Sequence, residues 1–94
     1  MDKITDMELW RRMSETERTA IDALAGADMN PKVAARLMDI SINTLNAHRR
    51  KVAIRGNFQG SGQFWAFVER RRLYGHLWEA EIALLPEDEP CEMR

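Results

Sequence analysis

Cysteine occurs once in this 94-residue chain, at Cys91, so no internal disulfide holds the fold together. That lone thiol and two distant histidines, His48 and His76, also make a poor zinc ligand set, and no metal is expected. Two of the three prolines, Pro86 and Pro90, stand near the end, which leaves the stretch before them open to long helices. No apolar run approaches the roughly 20 residues of a membrane-spanning helix. No charged-plus-apolar leader opens the chain either, so a soluble cytoplasmic protein without membrane contact is expected. There is no glycine-rich phosphate loop after a strand, no paired carboxylates in a plausible pocket and no nucleophile beside a base. Catalysis is therefore not expected, and no cofactor is implied. A chain of this length has room for one small domain that buries a limited fraction of its surface alone.

Charge of one sign is scarce overall, since the formal net charge is −1, which by itself argues against a nucleic-acid partner. The charges are nevertheless segregated. Residues 1–39 carry a net −2, residues 73–94 a net −5, and residues 40–72 a net +6 from Arg49, Arg50, Lys51, Arg55, Arg70, Arg71 and Arg72 against Glu69 alone. No acid lies between Asp39 and Glu69. That segment can approach phosphates without repulsion, whereas a merely solvated face more often mixes its signs.

The segment from Pro31 to Val52 reads as two short helices joined by a tight turn, the pattern of a helix-turn-helix. Asn30 can cap the first helix and Pro31 suits its first position, where a missing N–H costs nothing. Val33, Ala34 and Leu37 give it one apolar face. Met38-Asp39-Ile40-Ser41 breaks it, and Ser41 can cap a second helix spanning about 42–54. Leu45 and Val52, seven apart, point into the core, and the opposite stripe carries Asn43, Asn46, Ala47 and Arg50. These are side chains a major groove can be read with: Asn pairs with adenine, Arg with guanine, and the Ala methyl packs on thymine. Any amphipathic helix has a polar outer face; here the turn, the caps and the charge distribution favour the reading role.

Elsewhere, Ser14-Glu15-Thr16-Glu17 forms a capping box that opens a helix ending near Gly26, with Ile21, Leu24 and Ala25 on its core face. Ile4, Met7, Leu9, Trp10 and Met13 predict a short extra helix before it, with Trp10 packing on the domain. Three glycines in Gly56–Gly62 mark a loop, after which Ser61 is expected to cap a helix running from about Gln63 towards Leu85. Phe64, Phe67 and Val68 belong to the core. Gly75 weakens the helix by about 1 kcal/mol relative to Ala, so a kink or break is conceivable there. The tail 86–94, rich in Glu and Pro, is expected to be disordered.

Three ungapped blocks, Met13-Ser14-Glu15-Thr16-Glu17, Asn30-Pro31-Lys32-Val33-Ala34 and Ile40-Ser41-Ile42-Asn43-Thr44-Leu45-Asn46-Ala47-His48, together resemble the LuxR-type helix-turn-helix domain of bacterial transcription regulators over roughly residues 13 to 68. The Ile-Ser-x-x-Thr-Leu-x-x-His block is the most specific part. The resemblance implies a four-helix domain whose third helix reads DNA, with Asn46, Ala47 and Arg50 at base-facing positions. The family often has a basic residue where this chain has Asn46. Thr44, His48, Arg49, Lys51 and Arg55 are then candidates for contacts to the DNA backbone, which set register without reading sequence. Family members normally carry a receiver or ligand-binding domain upstream; its absence here implies control by abundance or by a partner.

The expected fold is thus all-α: one domain over 1–85 with four core helices, an extra N-terminal helix and an extended C-terminal helix. Tyr74, Leu77, Trp78 and Leu85 continue an apolar stripe beyond the core, which either folds back on Trp10 or joins two copies as a homodimer interface. The expected function is sequence-specific binding of double-stranded DNA as a transcriptional regulator. The alternative is an adaptor or antiactivator that uses the same fold to bind a second regulatory protein; steep salt dependence would favour DNA.

Overall fold

A computed structural model describes residues 5–84, and within them the chain is all-helical: α1 (Asp6–Arg12), α2 (Glu15–Gly26), α3 (Pro31–Met38), α4 (Ile42–Arg55) and α5 (Ser61–Ala83). Ile4, Leu85, Cys91 and the tail 86–94 lie outside the described residues. Each start has a local cause. Thr5 accepts from Glu8 N–H, and the capping box closes in both directions between Ser14 and Glu17. Asn30 Oδ1 accepts from the amides of Lys32 and Val33, and Ser41 Oγ from that of Thr44. The expected cap at Ser61 is corrected: Gly60 holds the cap position and has no side chain to satisfy the first turn of α5, of which Ser61 is the first residue.

Asp39 ends α3 in the left-handed region at φ 59, and the N–H of Ile40 reaches back to Ala35 O at 3.0 Å, a Schellman-type stop. Asp tolerates this conformation because its short polar side chain suits it better than a branched one. The three-residue connection to α4 follows, and α3 packs against α4.

Helix α2 is the hub, packing against α3, α4 and α5, while α1 lies on α5. The core gathers Leu9, Trp10, Met13, Ile21, Leu24, Leu45, Val52, Phe64, Phe67, Val68 and Trp78. The expected inward face of α3 is corrected. Ala34 and Ala35 are buried and Val33 is half-buried, whereas Leu37 is 65% exposed. On a helix of eight residues the arc that meets α2 runs through the two alanines, and Leu37 falls outside it.

Helix α5 runs unbroken through Gly75. The glycine is buried because Arg71 lies across it, donating from Nη1 to Gly75 O at 3.0 Å. The same guanidinium pairs with Asp22 and Glu79 at 2.8 and 2.7 Å and stacks over Trp10, 3.9 Å from the ring centroid. Burial alone would lower the Arg71 pKa, but its two carboxylates outweigh that and hold it raised. Gly56 is close-packed as well: a Cβ there would lie 2.9 Å from both Leu9 and Phe58. None of the described helices is long and apolar enough to cross a membrane.

Candidate nucleic-acid interface

Leu45 and Val52 are wholly buried beneath α4, which turns the stripe Asn43, Asn46, Ala47 and Arg50 outward. Asn43 and Arg50 are exposed, and Asn46 and Ala47 are half-buried. Asn46 is already engaged, since its Oδ1 accepts from Arg49 Nη1 at 3.0 Å. Its Nδ2 stays available as a donor and its Oδ1 keeps a second lone pair, so the donor–acceptor pair that matches adenine survives. Arg50 and Lys51 are exposed and make no ion pair among the described residues.

The backbone-contact candidates divide. Thr44 is exposed at the start of α4, its hydroxyl 3.0 Å from Ser41 Oγ, while His48 is half-buried on the flank of the stripe. Arg55, expected among the backbone contacts, makes an ion pair within the fold. Its Nε donates to Glu17 Oε1 at 2.7 Å, and the Glu17 side chain is almost fully buried. A buried carboxylate without a cation is costly, which holds Arg55 to this task. Glu17 therefore serves both as the closing residue of the α2 cap and as the anchor for the end of α4.

Arg49 turns towards the junction of α4 and α5. Its guanidinium lies over Phe64 and Trp65, 5.2 and 4.8 Å from their ring centroids, and burial lowers its pKa. Together with Asn46, Arg50, Gly60, Ser61 and Phe64 it lines a cavity of about 430 Å³. Sequence reasoning missed this juncture. The one local signal was the loop-forming glycines before α5; of these, Gly56 leaves room for Phe58, which packs on Phe64 and Phe67.

Of the residues expected in a dimer interface, Trp78 is corrected. It is 9% exposed, stacked on Phe67 at 5.6 Å and set against Trp10 at 6.0 Å between centroids, so α1 of the same chain covers it. Tyr74 and Leu77 are exposed, Leu77 by 55%, and Leu85 lies outside the described residues. Leu73 and Leu84, the latter 83% exposed, join Leu77 on the face of α5 about 180° from the buried one, at spacings of four and seven.

Compared with known proteins, the chain matches no family model, no curated protein and no solved structure.

Proposed function

We propose that the chain is a sequence-specific DNA-binding protein of the helix-turn-helix kind, a small bacterial transcription regulator acting in the cytoplasm, with α4 in the major groove. The observation that carries this reading is the outward stripe of Asn43, Asn46, Ala47 and Arg50, flanked by Lys51, on a helix without a single acid. The left-handed stop at Asp39, the short turn and the cap at Ser41 support the helix-turn-helix reading. The resemblance of residues 13–68 to LuxR-type domains points the same way.

The protein acts as a homodimer in this reading, joined through Leu73, Leu77 and Leu84 rather than through Trp78. Two reading helices then meet successive major grooves about 34 Å apart. Selection of bound duplexes from a random pool tests function and symmetry together: an inverted repeat is expected, and a pool without enrichment at low salt would overturn the reading. The adaptor reading draws on Leu37 of α3 and Ile54 of α4, exposed by 65% and 79%. A protein partner seated on those apolar side chains would bind with little salt dependence.

A further inference from the structure

Asn43 and Asn46 both stand on the outward stripe of α4, three residues apart, yet only one of them has its side chain engaged. Asn46 Oδ1 accepts from Arg49 Nη1 at 3.0 Å, whereas the Asn43 side chain makes no hydrogen bond among the described residues. A guanidinium is a donor only, so the end of the amide that meets it has to be the oxygen; the reversed amide would set its NH2 group against Nη1. Arg49 is itself held. Its guanidinium lies over Phe64 and Trp65, 5.2 and 4.8 Å from their ring centroids, and its Nε is enclosed. No carboxylate lines the cavity beside it, and none pairs with it among the described residues, so nothing competes with Asn46 for Nη1.

Resting on the DNA reading above, we infer that Arg49 is a positioning residue for base readout, which fixes the Asn46 amide in one orientation before α4 meets a base. A bidentate match to adenine needs the amide oxygen opposite N6 and Nδ2 opposite N7, both at once and in that order. An amide free to turn presents the reverse order part of the time and has to be immobilised on binding. The held amide presents a single order, with the second lone pair of Oδ1 and both Nδ2 hydrogens left for the base. Asn43 has no such support, so Asn46 is the asparagine of the stripe that dominates adenine selection.

Two measurements on the full chain test this. Without DNA, nitrogen relaxation of the side-chain amides should find Asn46 Nδ2 rigid and Asn43 Nδ2 mobile. Arg49→Met keeps an apolar stem on Phe64 and Trp65 but removes the donors, and should release Asn46. On duplexes varied one base at a time, Arg49→Met should lower the preference for adenine at the position read by Asn46 by about two- to tenfold, the cost of immobilising one side chain on binding. Arg49→Lys keeps the charge but lacks the plane that the two rings hold; it should lower the same preference while retaining affinity for random duplexes. In an Asn46→Ala background that preference is already lost, so Arg49→Met should alter no base preference further, although it still lowers affinity for all duplexes alike. A mobile Asn46 amide in the folded parent, a preference unchanged in both Arg49 variants, or the same change with and without Asn46 overturns the positioning role even if duplexes bind. A rigid Asn46 that Arg49→Met releases, in a parent that prefers no duplex, overturns the DNA reading instead and leaves the hold on the amide standing.

Discussion

Helix propensity and tertiary packing make opposite predictions for Gly75→Ala. In an exposed helix interior the change gains about 1 kcal/mol. Here the new Cβ would lie 2.6 Å from Arg71 Cδ and 2.9 Å from Cζ, so the guanidinium must leave its place. Displacement removes the stack on Trp10, at 3.9 Å, and the pairs with Asp22 and Glu79. The stack, with an arginine side chain only 10% exposed, contributes about 1–2 kcal/mol. Each pair, whose carboxylate is more than half exposed, adds about 0.2–1 kcal/mol. Set against the propensity gain, the net is a loss of about 0.5–3 kcal/mol, or a Tm lower by roughly 2–24 °C for a domain of this size. Thermal unfolding followed by circular dichroism measures it. In an Arg71→Ala background the obstacle is gone, and the same substitution should stabilise by about 1 kcal/mol. A gain in Tm in the parent, or the same sign in both backgrounds, would refute the role assigned to Arg71.

Trp78→Ala should cost about 3–5 kcal/mol of unfolding free energy by chemical denaturation, whereas Leu77→Gln should leave stability almost unchanged and shift sedimentation towards monomer if α5 joins two copies. Arg50→Ala should lose about 1–3 kcal/mol on the preferred duplex and much less on random sequence, measured by fluorescence anisotropy; an equal loss on both would make Arg50 a phosphate contact only. Arg55→Ala leaves the buried Glu17 carboxylate without its cation and should destabilise by about 1–3 kcal/mol, less than a fully buried pair because the Arg55 side chain is 43% exposed.

Features set by neighbours three or four residues apart were readable from the sequence. The Ser14–Glu17 box, the Asn30 cap with Pro31 and the Ser41 cap each depend on a side chain meeting an amide two or three positions on, whatever else the chain does. The inward faces of α2 and α4 followed from period, because each helix is long enough for its apolar residues to define one arc. Leu37 went the other way because Ala34 and Ala35 contribute too little apolar bulk to mark the arc that α2 selects. Trp78 marks a deeper limit. Helix α5 carries apolar residues on two opposite faces, and periodicity gives the faces without saying which is covered from within the chain and which is left outside. The Arg49 cavity was scarcely legible, since it depends on how the first turn of α5 is set against α4, and the glycines before α5 mark a loop without encoding that placement.

The acid-free segment also promised more free cation than the fold leaves. Of its seven basic residues, Arg55, Arg70, Arg71 and Arg72 are paired with Glu17, Asp6, Asp22 and Glu79, and Glu69. The partners of three of these arginines come from α1 and α2, so the charge that looks basic along the chain is largely neutralised across it. Arg49, Arg50 and Lys51 remain, consecutive on α4 and without a carboxylate partner among the described residues. Counterion release scales with the phosphates neutralised, at a slope of about −0.9 each, so with Arg50 on a base, Arg49 and Lys51 should contribute a log–log salt slope of about −2 per protomer, where seven phosphate-bound cations would give about −6. The measurement is affinity for a fixed duplex across a salt series, for the parent and for the triple variant with Arg49, Arg50 and Lys51 changed to Gln. A drop of about two units per protomer is expected. A slope that survives the triple change would mean that the paired arginines leave their carboxylates to meet the DNA, and the separation drawn here between scaffold and contact cations would fall.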